Sequence, residues 1–229
     1  MGQTVTIPSR PEPLTLDPAR TGVVVVDMQN AFASKGGYLD LFGVDISGAP
    51  VVIENIGQVL DASRPAGMTV VFLQMGWNRD LADAGGPTSP NWHKANALRL
   101  MRQRPEMAGR LMIRGTWDYA LLDDLKPQPG DLVVEKPRYS GFCATNLDLL
   151  LRERGIRSLV FTGIASNVCV ESTLRDAFFR EYFPLLIADG SLGSGPAWVH
   201  EATLFNVQRF FGWVTTTAEY VTAVRGTGA

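Results

Sequence analysis

Three side chains whose types can work together close three separate apolar runs of this 229-residue chain. Asp27 ends the β-branched run 22–27, Lys136 ends 131–136 just before Pro137, and Cys169 follows the run 158–162 across a short turn. A thiol attacks a carbonyl only as thiolate, and a free one near pKa ~8.5 is mostly protonated at neutral pH. A nearby ammonium favours the thiolate by opposite charge, and the N-terminus of a helix adds to that. A carboxylate can take the thiol proton and pass it to a departing nitrogen, as general base and then acid. Backbone N–H groups in the turn before the nucleophile could hold the oxyanion, where one lost donor costs ~3–4 kcal/mol of barrier. The chemistry is hydrolysis of a C–N bond beside a carbonyl, through a thioester-type intermediate.

Each residue alone also has an ordinary reading. A lone cysteine is a small buried hydrophobe, an aspartate caps a helix or holds a turn, and a lysine at a strand end is a solvated charge. Their common position has to decide. The runs 22–27, 68–73, 131–136, 158–162, 183–188 and 213–216 have the length and branching of buried strands. Between them, helical spacing marks 51–64, 145–154, a helix beginning at the cysteine turn, 198–211 and a last helix from Ala218. Such alternation predicts an α/β fold, a doubly wound, mainly parallel six-stranded sheet with helices on both faces. Ligands of such sheets bind beyond the carboxyl ends of the strands, where Asp27, Lys136 and Cys169 all fall.

Residues 74–120 are the least regular stretch, broken by Gly85-Gly86-Pro87 and carrying Trp77, Trp92, His93 and Trp117. A long irregular stretch with this aromatic content reads as the wall or lid of a site. A single domain over 1–229 is expected, with a proline-bearing arm over 1–20 draped on the surface or a neighbouring subunit.

A net charge of −2 and no lysine/arginine block argue against nucleic acid or anionic membrane as partner. No apolar run reaches spanning length and the first residues lack a signal-peptide layout, so the expected location is the cytoplasm. The only two cysteines, Cys143 and Cys169, read as reduced thiols rather than a disulfide or zinc site.

The three motifs together resemble the isochorismatase-like cysteine hydrolases. That pattern is a buried strand ending Asp-x-Gln, a strand-end lysine, and Gly-Ile/Val-x-Thr/Ser-x-x-Cys-Val. Asp27-Met28-Gln29, Lys136 and Gly163-Ile164-Ala165-Ser166-Asn167-Val168-Cys169-Val170 match it in order. The resemblance implies a triad of Asp27, Lys136 and Cys169, an oxyanion hole from the N–H groups of Ala165 and Cys169, and a cis Ile164–Ala165 peptide. It implies no cofactor and no metal, because His93 and His200 stand outside any Asp-x-His cluster of the nicotinamidase kind.

Almost the whole chain is further similar to the ureidoacrylate amidohydrolases of bacterial pyrimidine breakdown, through Gly36-Gly37-Tyr38-Leu39-Asp40, Pro137-Arg138-Tyr139-Ser140-Gly141-Phe142 and Val170-Glu171-Ser172-Thr173 among others. The implied reaction cleaves the ureido group of (peroxy)ureidoacrylate to a carbamate and an aminoacrylate. Met75 stands where that subfamily implies an asparagine, and Phe142-Cys143-Ala144-Thr145 resembles biuret hydrolases, so a biuret or triuret hydrolase is the alternative. Expected contacts to a small ureido substrate are Gln29, Asn30, Trp77, Asn91, Lys94, Asn96 and Tyr139. Glu171 and Arg175 read as an i,i+4 ion pair. The aromatic 198–211 helix exceeds what one inner face requires, which predicts a homo-oligomer.

Overall fold

The computed structural model describes residues 4–226. Six strands form one parallel sheet in the order β5-β4-β3-β6-β7-β8. They are β3 (Thr21–Val26), β4 (Thr69–Met75), β5 (Leu132–Lys136), β6 (Ser158–Ile164), β7 (Phe183–Leu192) and β8 (Trp213–Thr215). Every residue of β3 and β6 is buried, as a central strand covered on both faces requires. The order runs outward in one direction from β3 and in the other from β6. The switch point between them is the crevice that binds ligands in doubly wound sheets.

The helices are α1 (Asn30–Ala33), α2 (Tyr38–Leu41), α3 (Ala49–Ser63), α4 (Pro90–Lys94), α5 (Asn96–Gln103), α6 (Leu147–Glu153), α7 (Glu171–Phe178), α8 (Ala197–Asn206) and α9 (Thr217–Arg225). Two apolar cores separate across the sheet. One holds Val23, Val25, Phe72 and α3 with α9; the other holds Val24, Val26, Leu73 and Phe161 with α6 and α7. The alternation along β3 assigns neighbouring valines to opposite cores, as the strand period requires.

The N-terminal arm and the end of β7 differ from the sequence expectation. The described part of the expected 1–20 arm, residues 4–20, is folded: β1 (Val5–Ile7) and β2 (Leu14–Leu16) pair antiparallel and bury Val5, Ile7, Leu14 and Leu16, while Arg10 exchanges hydrogen bonds with Val214. β7 does not stop before Asp189 but runs on to Leu192, with a register shift beside Gly163. Asp189 instead accepts from the N–H and hydroxyl of Thr217 at 2.7 and 2.9 Å, fixing the start of α9. Among the described residues no helix is long and apolar enough to cross a membrane.

Candidate active site

Asp27 is the first residue past β3, and the chain turns there with φ of 53°, a left-handed value uncommon outside glycine but one that aspartate adopts more readily than most residues. Its N–H still donates to the Leu73 carbonyl at 3.0 Å, which keeps the carboxylate at the switch point. Lys136 is the last residue of β5, two strands away, and its side chain crosses the width of β4 to meet Asp27. The nucleophile turn follows β6. Gly163 pairs with Val26 and has φ of 113°, and a Cβ there would stand 2.1 Å from the Val26 carbonyl oxygen. Only glycine lets β6 approach β3 this closely just before the turn, and the approach brings Cys169 beside Asp27.

Lys136 Nζ lies 2.7 Å from Asp27 Oδ2, and neither side chain is exposed to solvent. The ammonium also donates to the carbonyls of Arg138 and Tyr139, at 3.1 Å each. Both side chains are close enough to the Cys169 thiol for each to act on its charge. The three residues taken from the sequence as one group therefore meet, from three strand ends.

Their electrostatics differ from the simple expectation of a resting thiolate. Cys169 does not open an ordinary helix; it is the fourth residue of a π-helical turn, Ser166–Val170, that precedes α7. Burial pushes its thiol pKa up, Lys136 opposes that, and the Asp27 charge adds to it. Burial likewise raises Asp27 above the ordinary aspartate value, against the pull of Lys136 and the thiol. Lys136 is disfavoured as a cation by burial, but Asp27 and the thiol outweigh this and raise its pKa. Burial thus works against both the thiolate and the Asp27 carboxylate, and Lys136 opposes it at each of them. The lysine favours the charged carboxylate, and Asp27 is the group placed to take the thiol proton.

Cys169 lines a cavity of ≈ 90 Å³, room for a few waters or a small planar molecule. Ala165 lines it too, and the Ile164–Ala165 peptide is cis. Of the expected substrate contacts, Trp77, Asn96 and Tyr139 reach this cavity. Trp77 is fully buried and offers an apolar face, since its indole N–H donates to the Pro137 carbonyl at 3.1 Å.

Gln29, Asn30, Asn91 and Lys94 do not line it. Gln29 spends its amide on the backbone: Nε2 donates to the carbonyls of Met75 and Tyr119, and Oε1 accepts from Met75 N–H at 2.8 Å. Asn30 donates to the Trp117 carbonyl and accepts from Ser34. Asn91 donates to the Ala84 carbonyl, and Lys94 is exposed at the end of α4. Cys143 is a free, exposed thiol.

Sequence reasoning missed Tyr38, Met112 and Ser194 as lining residues, and Asp118 behind them. Asp118 accepts from Tyr38 N–H at 3.0 Å and from Met112 N–H at 2.6 Å, clasping two walls of the cavity together. The Gly36-Gly37 turn was the only signal for Tyr38; nothing in the spacing of Asp118 marks it. Among the described residues no three His, Cys, Asp or Glu side chains gather as a metal cluster would.

A switch point where an acid, an amine and a thiol converge is the arrangement of a cysteine hydrolase. Residues 21–219 match the Isochorismatase domain, and the chain belongs to the isochorismatase family. It is 58% identical over 222 residues to "Ureidoacrylate amidohydrolase RutB" of Rhizobium rhizogenes, spanning 97% of this chain and 90% of that one. Against the protein of the same name from Agrobacterium fabrum it is 58% identical, over 94% of this chain and 95% of that one. Among solved structures, a cysteine hydrolase from Pseudomonas syringae pv. phaseolicola superposes with a TM-score of 0.79 at 28% identity, covering 98% of each chain. N-carbamoylsarcosine amidase from Thermoplasma acidophilum superposes with a TM-score of 0.64 at 25% identity, over 86% of this chain and 96% of that one. The chain is accordingly a hydrolase acting on amide C–N bonds.

Proposed function

We propose that the protein cleaves (peroxy)ureidoacrylate, with Cys169 as nucleophile, Asp27 as general base then acid, and Lys136 holding the Asp27 charge. The observation that carries the chemistry is the fully buried contact of Lys136 and Asp27 against the Cys169 thiol. Asp27 takes the thiol proton as sulfur bonds to the ureido carbonyl carbon. The oxyanion is received by the N–H groups of Ala165 and Cys169. When the tetrahedral species collapses, the C–N bond breaks and the proton passes from Asp27 to the aminoacrylate nitrogen. Water, deprotonated by Asp27, then adds to the S-carbamoyl enzyme, and carbamate leaves as the thiol is re-formed. No step uses a cofactor or a metal.

The substrate is supported by the relatives at 58% identity and by the charge beside the site. From Lys94 to Arg110 the sequence has five cations and one carboxylate, in a chain of net charge −2. None of these cations is in an ion pair among the described residues; Arg99 instead donates to the side chain of the cavity residue Asn96. Such a stretch draws in an anion such as an acrylate, and does nothing for neutral biuret or triuret. An ammonia-release panel of ureidoacrylate, biuret, triuret, N-carbamoyl amino acids and nicotinamide tests the reading. Ureidoacrylate should have the highest kcat/KM, falling as salt is added. A higher value for biuret or triuret would replace ureidoacrylate with that substrate.

The same reading puts the reaction in the cytoplasm and the chain in a homo-oligomer. Supporting the latter, Trp198, Phe205 and Phe210 of the α8 region and Phe179 of the neighbouring α7 end are each more than half exposed. Sedimentation of the purified chain as a monomer would remove the oligomer.

A further inference from the structure

The loop 193–196 joins β7 to α8, and its Ser194 lines the cavity alongside Cys169. One side chain of the nucleophile turn grips this loop. Asn167 Oδ1 accepts from Ser194 N–H at 2.9 Å, and Asn167 Nδ2 donates to the Ser194 carbonyl at 3.2 Å. The amide thus satisfies both backbone groups of one residue, as a neighbouring strand would. The loop is also packed tightly on the turn: a Cβ at Gly193 would stand 3.1 Å from His200 Cβ and 3.4 Å from Ser166 Oγ. Farther along, His200 Nδ1 lies 2.8 Å from Ser166 Oγ, and Thr203 Oγ1 donates to Glu171 Oε2 at 2.5 Å. These two contacts anchor α8. Among the described residues, Asn167 is the side chain that hydrogen-bonds the loop ahead of α8, and Asn167 is not itself a lining residue.

We propose that Asn167 is a positioning residue: its side-chain amide fixes Ser194 as a wall of the cavity and so sets what size of group reaches Cys169. Because α8 keeps its own anchors, loss of the amide frees the loop without releasing the helix. The inference rests on the reading of Cys169 as the nucleophile, and its main test needs no substrate.

The full chain is prepared with Cys143→Ala, which leaves Cys169 as the sole thiol, and then with Asn167→Ala or Asn167→Asp added. Alkylation rates are measured with iodoacetamide and with the bulkier N-ethylmaleimide. Their ratio cancels any change in thiol pKa. Asn167→Ala should raise the maleimide-to-iodoacetamide ratio about tenfold, the weight of two lost hydrogen bonds. KM for ureidoacrylate should rise similarly, with kcat within about threefold of the parent. Asn167→Asp keeps the acceptor for Ser194 N–H and loses the donor, so its ratio should be intermediate. It should return toward the parent as pH falls and the carboxyl regains a proton to donate. A ratio and KM equal to the parent in both variants would overturn the proposal, as would a loss confined to kcat. If wild type fails to turn over ureidoacrylate, the substrate assignment falls while the alkylation ratio still decides the role of Asn167.

Discussion

Replacing Lys136 by methionine should cost far more stability than a surface lysine could, and a second substitution should give part of it back. Both members of the Lys136–Asp27 pair have side chains with no solvent exposure, so solvent screening does not weaken their contact. Removing one partner of such a pair leaves an uncompensated buried charge, at a cost of about 3–5 kcal/mol. The carbonyls of Arg138 and Tyr139 also lose the donor they now share at 3.1 Å each. With a urea slope of about 3 kcal/mol per molar for a chain of this size, the unfolding midpoint should fall by about 1–2 M. In Lys136→Met with Asp27→Asn no charge is left stranded, and the double variant should recover about 2 kcal/mol over the single one. Recovery should stop short of wild type, because the two carbonyls are still without a donor. Neither variant should release ammonia. Urea titrations of wild type, both single variants and the double variant complete the cycle. A Lys136→Met midpoint within about 0.3 M of wild type, or single-variant losses that simply add in the double, would refute a buried charged pair.

Other outcomes follow from the same geometry. Cys169→Ser should lower kcat by about 10⁴-fold or more while the urea midpoint stays close to wild type, as steady-state ammonia release and urea titration will read. Gly163→Ala would put a methyl 2.1 Å from the Val26 carbonyl oxygen at a φ of 113°, so β6 must retreat from β3. The loss should reach about 3 kcal/mol or abolish soluble expression, and a midpoint near wild type would remove the close approach from the account. Burial holds the His200 pKa below its usual 6.5, chiefly opposed by Glu201. A depressed histidine contributes stability above its unfolded pKa and loses it as pH falls toward its folded one. Tm should therefore drop as pH falls below 6.5, and drop less steeply in His200→Gln. Parallel pH profiles of Tm in the two proteins would show that His200 contributes none of the slope.

The strand ends were readable in the sequence because a run such as Val23-Val24-Val25-Val26-Asp27 leaves little choice: four buried valines of β3 and then a charge that must find a partner. Cys169 was readable for a related reason, as the turn follows the fully buried β6. What the sequence concealed was how side chains are spent. Gln29 and Asn30 have the amides a ureido substrate would want, but the backbone of 75, 117 and 119 takes them first. Asp118, which clasps Tyr38 to Met112, lies 80 residues from one partner and belongs to no periodic pattern. The hairpin β1–β2 was hidden by Pro8, Pro11 and Pro13, which look like a loose arm until Arg10 meets Val214. Short helices α4 and α5 escaped because their lengths fall below what helical periodicity resolves. The upward push on the Cys169 thiol could not be foreseen either, since motif spacing carries no measure of burial and burial is the largest influence on Cys169.

The most direct measurement mixes enzyme and ureidoacrylate, quenches in acid within one turnover, and maps the peptide that contains Cys169 by mass spectrometry. The mechanism predicts one added carbamoyl group on that sulfur, appearing before ammonia accumulates and absent from Cys169→Ser. Substrate consumed at full rate with the sulfur unmodified at every quench time would contradict covalent catalysis by Cys169.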